Sequence, residues 1–212
     1  MGVGVCGGIG VGLAGLGLEP AGSEHTGDPL QFLIVDFTGG MGALETLQHL
    51  DGRSGLFVLA DLERVDRGLP PYVGLSASLD AASQQAAEAG TDPSLALPLV
   101  AAAAGNWAGD APSTLAADYD WLYVDGFGSG NESCSAPGAP GCWGHRDGIL
   151  GAVTGLGCTD CVMGAGSTLA ASSGWRTSFA EIVAEPVRPG AIQTFFTWQH
   201  DVLPYLHAAP AG

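Results

Sequence analysis

The feature that most constrains this chain is a group of four cysteines in its second half, Cys134, Cys142, Cys158 and Cys161. Each neighbouring pair can close a short loop, so the local disulfides Cys134–Cys142 and Cys158–Cys161 are the simplest expectation in an oxidising compartment. The alternative is a zinc site, because a Cys-x-x-Cys pair with two further cysteines and a nearby histidine supplies ligands that zinc accepts. The seven-residue spacer between Cys134 and Cys142 departs from the short spacing of zinc knuckles, which favours disulfides.

The charge of the chain is strongly one-sided. Its 212 residues include 22 Asp and Glu but only 6 Arg and no Lys, which gives a formal net charge of −16 at pH 7. Nucleic-acid binding depends on clusters of Lys and Arg that displace counterions from phosphates. Nucleic acid and anionic membrane surfaces are therefore excluded as partners. With 46% hydrophobic residues the chain can bury a substantial core, and we expect one domain.

The chain begins with an apolar run of Gly, Val, Leu, Ile and Ala over residues 1–18, followed by small residues. Its length resembles the apolar region of an export signal, although no Lys or Arg precedes Arg53 to form a positive start. A Gly-rich core or linker segment is the alternative. We expect residues 1–22 to be a leader for secretion and 23–53 an N-terminal extension. No other run has the length and apolarity to span a bilayer.

Apolar spacing and capping residues predict several helices. The predicted helices cover residues 41–50, 56–67, 79–89, 95–104 and 115–124. Ser78 is expected to cap the third, and Ser113 or Thr114 the last. The fourth is expected to be buried and to break at Gly105-Asn106-Trp107. On the last helix Asp118, Trp121 and Leu122 share a face with Asp125.

The second half of the chain reads as a loop, a hairpin and a tail. Residues 126–141 are dense in Gly, Ser and Pro, which predicts a loop. Two runs, Val162–Leu169 and Trp175–Val183, are separated by a turn-like segment and predict a β-hairpin. Residues 186–212 form a tail whose aromatic side chains are expected to pack on the domain.

Several short motifs follow one another between residues 54 and 185. In order they are Leu62–Pro71, a Ser-x-x-Leu-x-x-Ala helix ending in Ala86-Ala87, Gly105-Asn106-Trp107, the Trp121 helix, Gly144-His145-Arg146-x-x-Ile149-Leu150, and Val162-x-Gly164-x-Gly166 before the hairpin. This order resembles the bacterial branch of the CAP superfamily, which groups cysteine-rich secretory proteins, venom antigen 5 and plant pathogenesis-related proteins. The resemblance implies an α+β fold: an α-β-α sandwich with a small antiparallel sheet between helices.

The resemblance also implies secretion and a central cleft in which two histidines and two acidic residues can bind a divalent metal. His145 matches one of these histidines, and Asp125, four residues after Trp121, is the nearest match to one acid. The second histidine has no counterpart, since no His lies between His49 and His145. The Gly-Glu-Asn motif is represented by Gly105-Asn106 without its acid. We therefore expect no cofactor, and a divalent metal at His145 is the weaker alternative.

The residues expected to line a cleft are Trp121, Asp125, Trp143, His145 and Arg146. In a functional interpretation, His145 titrates near neutrality and faces Asp125 or Asp120, as a catalytic base or a metal ligand. In a structural interpretation, its ring nitrogens bond to backbone at the start of an element. Arg146 and Asp147 are expected to form a local ion pair or to brace the loop.

Three functions fit these features. The first is a secreted, non-enzymatic binding or cell-envelope module whose cleft around His145 takes a lipid, glycan or peptide. The second is a hydrolase that uses His145 with Asp125 or Asp120, with or without a metal-bound water. The third is a self-assembling surface or structural protein, given the low charge density and high Gly content. A serine nucleophile is not indicated, because Gly126–Gly130 lacks the Gly-x-Ser-x-Gly spacing.

Overall fold

The structure is a computed structural model that describes residues 50–153 and 156–206, the side chain of Tyr205 excepted. The leader, nearly all of the N-terminal extension and the helix predicted over 41–50 lie outside the described residues, which begin at Leu50. The described part has an α+β fold, as predicted, with helices on both faces of a five-stranded sheet.

The elements in chain order are α1 (Gly52–Asp66), β1 (Gly74–Leu75), α2 (Ala77–Ala89), β2 (Val100–Gly109), α3 (Thr114–Tyr123), α4 (Gly144–Leu150), β3 (Val162–Thr168), β4 (Ser178–Pro186), β5 (Phe196–Thr197), a π-helical turn (Trp198–Val202) and α5 (Leu203–Leu206). The sheet order is β2-β4-β3-β1-β5, and every pair is antiparallel except β1 with β3. The predicted hairpin is formed by β3 and β4. The segment predicted as a tail supplies β5, so it belongs to the same sheet.

The helix predicted over residues 95–104 is wrong, because this segment leads into β2. The strand pairs with β4 from Val100↔Pro186 to Gly109↔Ser178. Gly105 lies mid-strand, where a Cβ would come within 2.6 Å of Pro93 Cγ. A strand covered on both faces shows no alternation of polar and apolar residues, so its sequence resembles that of a buried helix.

The start of α2 also differs from the prediction. The cap is Ser76 rather than Ser78, and the helix begins at Ala77. Ser76 is still extended, with φ −114° and ψ 130°, and its N–H donates to Met163 O at 2.9 Å. Strand pairing therefore continues to the residue immediately before the helix. The predicted cap of α3 is confirmed for Ser113, whose hydroxyl accepts from Ala116 N at 3.2 Å.

The two faces of the sheet pack against different helices. On β4, Phe179 and Val183 belong to the large core that includes side chains of α1, α3 and α4. Ile182 and Ala184, between and beyond them, belong to the smaller core beneath α2. Because side chains alternate along a strand, Glu181 lies on the face of the large core.

Helix α2 packs very closely on β3. A Cβ at Gly166 would lie 2.3 Å from Gln84 N, so only glycine fits there. Side chains of α2 bond directly to the strand backbone: Ala165 N donates to Asp80 Oδ1 at 3.0 Å, and Ser167 N donates to Gln84 Oε1 at 3.1 Å. Beyond the short strand β1, the helix thus supplies the hydrogen bonds that a neighbouring strand would make.

Candidate functional site

His145 lies in the first turn of α4 and is held by a single carboxylate. Its ring Nδ1 is 2.6 Å from Asp125 Oδ1, and its backbone N–H donates to Asp125 Oδ2 at 2.9 Å. The backbone N–H of Arg146 points to the same Oδ2 at 3.5 Å. Asp125 follows α3, so one side chain fixes both the start of α4 and the orientation of the imidazole.

The loop between α3 and α4 is fastened around this pair. Asn131 Nδ2 donates to Asp125 O and to Gly141 O, both at 2.9 Å, and it also contacts Asp125 Oδ1. A disulfide joins Cys134 to Cys142, and a second joins Cys158 to Cys161. Both are the local pairs that the sequence predicts. The first closes residues 134–142, three residues after Asn131.

The residues predicted to line a cleft are divided between the interior and the surface. His145 is 3% exposed, Asp125 1% and Trp121 2%, and the Trp121 indole N–H donates to Trp107 O at 3.1 Å. Trp143 and Arg146 are half-buried, with the guanidinium 5.5 Å from the ring centroid of Trp143. The five residues therefore do not form an open cleft: three are interior and two remain at the surface.

A further acid close enough to His145 to feel its charge, Asp92, was missed by sequence reasoning. His145 Nε2 and Asp92 Oδ1 are both buried without a hydrogen-bond partner among the described residues. Burial raises the pKa of Asp92 to about 6, and the nearby His145 opposes this shift. Asp92 follows the left-handed Gly90 that ends α2. The only signal in the sequence for this residue was an acid placed between Gly90, which ends the helix, and Pro93.

Asp120 and Asp147, two other acids singled out in the sequence, do not make the contacts predicted for them. The structure brings Asp125, not Asp120, to His145; burial raises the pKa of Asp120 to about 6. Among the ion pairs of the described residues, none joins Arg146 to Asp147. The predicted ion pair is therefore not formed: the Arg146 guanidinium lies over Trp143, and its charge only opposes the rise that burial causes in the pKa of Asp147.

A second group of buried polar side chains, Asn106 and Glu181, lies beneath α4. Asn106 Nδ2 donates to His145 O at 3.2 Å and to Glu181 Oε1 at 2.8 Å. Burial raises the pKa of Glu181 to about 8, and the Asn106 hydrogen bond opposes this. Sequence reasoning missed Glu181, although it is the only charged residue between Ser178 and Ala184.

A third polar group connects α1 to α3. Tyr123 donates from its hydroxyl to Glu63 Oε2 at 2.8 Å and accepts from Arg67 Nη2 at 3.0 Å, while Arg67 and Glu63 form an ion pair. Burial raises the pKa of Asp118, and the negative charges of Glu63 and Glu181 raise it further. Acidic groups thus occupy the interior on this face of the sheet.

Among the described residues, no three or more His, Cys, Asp or Glu side chains are grouped so that they could hold a metal ion. No described helix has the length and apolarity needed to cross a membrane. Comparisons with protein-family models, curated proteins and solved structures find no match for this chain.

Proposed function

We propose that this protein is a secreted, disulfide-braced CAP-like domain that acts by binding rather than by catalysis. The burial of the His145–Asp125 pair carries the proposal, since side chains 4% and 1% exposed offer no access to a substrate. Their hydrogen bonds hold the start of α4 and the preceding loop. We therefore assign the pair a structural role. It holds in place the residues of the contact surface described next.

The proposed contact surface consists of Phe127, Trp143 and Arg146. Phe127 is 56% exposed, and the neighbouring Gly126 packs on Trp143, whose ring atom Cζ2 would be 2.6 Å from a Cβ there. Aromatic side chains and arginine dominate the energetics of many binding surfaces. Because the disulfide and Asn131 hold the loop, little conformational freedom is lost when a ligand binds.

The ligand is a glycan, a peptide or a lipid, and one set of titrations separates them. The full chain is titrated by calorimetry against envelope glycans, short peptides and zwitterionic vesicles. Binding of one class is expected to saturate. Phe127→Ser is expected to weaken that binding about tenfold, or about 1.4 kcal/mol, a loss larger than most interface residues cause. Leu169→Ser is the matched control, because Leu169 is 83% exposed and lies on the β3–β4 connection. Equal loss in both variants, or no binding to any class, would contradict the proposal.

A hydrolase is the second candidate, favoured by the geometry of the histidine and its carboxylate. An imidazole whose Nδ1 is held by an aspartate, while its Nε2 has no hydrogen-bond partner in the described part of the chain, has the arrangement of a general base. The purified chain would then turn over an ester, peptide or glycoside substrate, and His145→Asn would abolish turnover while the circular-dichroism spectrum is kept. Turnover that persists in His145→Asn would rule out this candidate.

Secretion is supported by the two disulfides, which persist chiefly in oxidising compartments. The apolar residues 1–18 supply the export signal. Mass spectrometry of the protein recovered from the medium should find residues 1–22 removed and no free thiol among the four paired cysteines. An intact leader on cytosolic protein with reduced cysteines would contradict secretion.

A further inference from the structure

A pocket of about 290 Å³ opens at the end of the sheet where β4 finishes and β3 begins. Its apolar walls are Val73, Val162, Pro186 and Ile192. Val162 and Ile192 belong to the core beneath α2, whereas His145 lies on the other face of the sheet with α4. The pocket is therefore separate from the contact surface proposed above.

The walls of the pocket are held in place by hydrogen bonds and a disulfide. Val73 N donates to Cys161 O at 2.8 Å, and the Cys158–Cys161 disulfide closes the turn that carries Asp160. Among the other lining residues, Gln193 Nε2 donates to Gly190 O at 3.1 Å. A pocket whose walls are already fixed does not need to be ordered by its ligand.

The chemistry of the lining favours a cation with an apolar body. Among the described residues that line the pocket, Asp160 is the only ionisable one, and Gln193 and Thr194 add neutral polar groups. Glu185, next to Pro186 on β4, accepts from Gly157 N at 2.7 Å, so a second carboxylate lies at this end of the sheet. The net charge of −16 adds a long-range attraction for cations.

Exposed apolar side chains continue from the pocket onto the surface. Val73, which lines it, is 44% exposed, and Phe195, directly after the lining residue Thr194, is 59% exposed. Large apolar side chains exposed beside a concave, partly apolar site are typical of ligand-binding grooves. They provide contacts for a hydrocarbon chain that extends beyond the pocket.

We propose that this pocket binds alkylammonium compounds, with the ammonium head at Asp160 and the hydrocarbon chain against Val73, Val162 and Ile192. Such a ligand satisfies both parts of the lining. The carboxylate attracts the head, while burial of each methylene of the chain strengthens binding roughly fourfold.

The test is a calorimetric titration of the full chain with hexylammonium, and with hexanol and hexanoate as probes of equal chain length. Hexylammonium is expected to bind saturably, hexanol more weakly, and hexanoate not at all. Asp160→Asn is expected to weaken hexylammonium binding about two- to fivefold, the range of a solvent-exposed charge pair. Gln193→Trp, which places an indole at the rim, should abolish it.

Glu132→Gln is the matched control, because it removes one exposed carboxylate from the α3–α4 loop and leaves the pocket intact. Its affinity for hexylammonium should equal that of the unmodified chain. The proposal is overturned if hexylammonium fails to saturate. It is also overturned if Asp160→Asn and Glu132→Gln weaken binding equally, since the attraction would then come from the net charge alone.

Discussion

At the scale of single residues, Asp125 is more important for the fold than His145, the histidine that it contacts. Its two carboxylate oxygens accept from the backbone of α4 and contact the ring of His145, while its own carbonyl accepts from Asn131. The sequence showed that Asp125 could face His145. It could not show the burial of the pair, because burial depends on how the 126–141 loop, which joins α3 to α4, folds over it.

We expect Asp125→Ala to lower the free energy of unfolding by about 3 kcal/mol, because it leaves a buried imidazole and a buried N–H without their acceptor. Urea unfolding monitored by tryptophan fluorescence measures the loss. Asp120→Ala is the matched control and should cost less than about 1 kcal/mol. Equal losses would mean that the carboxylate of Asp125 has no special part in the fold.

Glu181 provides a second test at this scale. Its folded pKa, about 8, lies above the ordinary value of 4.5, so the stability tied to its protonated form is present at low pH. That stability is lost as the pH rises from about 4.5 through 8. Glu181→Gln keeps an acceptor for Asn106 and cannot ionise, so its stability should change less between pH 5 and 9. An unchanged pH slope in denaturant titrations would show that Glu181 does not titrate in this range.

At the scale of elements, those with a local signal were predicted and those that depend on distant partners were not. Helix α1 and the hairpin follow apolar spacing and turn residues that are close in sequence. Strand β2 does not, because its Ala-rich run acquires strand structure only by pairing with β4, some 80 residues later. The strands β1 and β5, two residues each, carry no periodicity that could predict them.

The contact of α2 with β3 gives a prediction at the element scale. Gly166→Ala should destabilise the fold by about 3 kcal/mol or more, because the new Cβ would lie 2.3 Å from backbone of α2. Gly55→Ala, inside α1, meets nothing closer than 3.5 Å and should instead stabilise by about 0.5–1 kcal/mol. Thermal unfolding of both variants measures these changes. A Gly166→Ala variant with an unchanged unfolding midpoint would contradict the close packing of α2 on β3.

At the scale of the whole molecule, the interior is unusually acidic. Burial raises the pKa of Asp80, Asp92 and Asp120 to about 6, and it also raises the pKa of Asp61 and Asp118. The sequence shows the excess of Asp and Glu over Arg, which gives a net charge of −16. It does not report which of them become buried, since that depends on tertiary packing.

These shifts predict a protein that is most stable in acid. Each folded pKa lies above its unfolded value near 4, so the folded state binds more protons, and stability falls as the pH rises from about 4 through 6. The midpoint of thermal unfolding should therefore decrease between pH 4 and pH 8. Repeating the scan in 0.5 M NaCl separates surface repulsion, which salt screens, from the buried groups, which it screens much less. A midpoint that increases towards pH 8 would contradict the expectation.

The hydrogen bonds from α2 to β3 also affect how molecules meet one another. A strand with open N–H and C=O groups can template the addition of a strand from another copy, which is a common route to aggregation. Asp80 and Gln84 already occupy those groups at Ala165 and Ser167. A second molecule could add a strand there only after α2 had detached, so this side of the sheet is protected at protein concentrations where an open edge would begin to form fibrils.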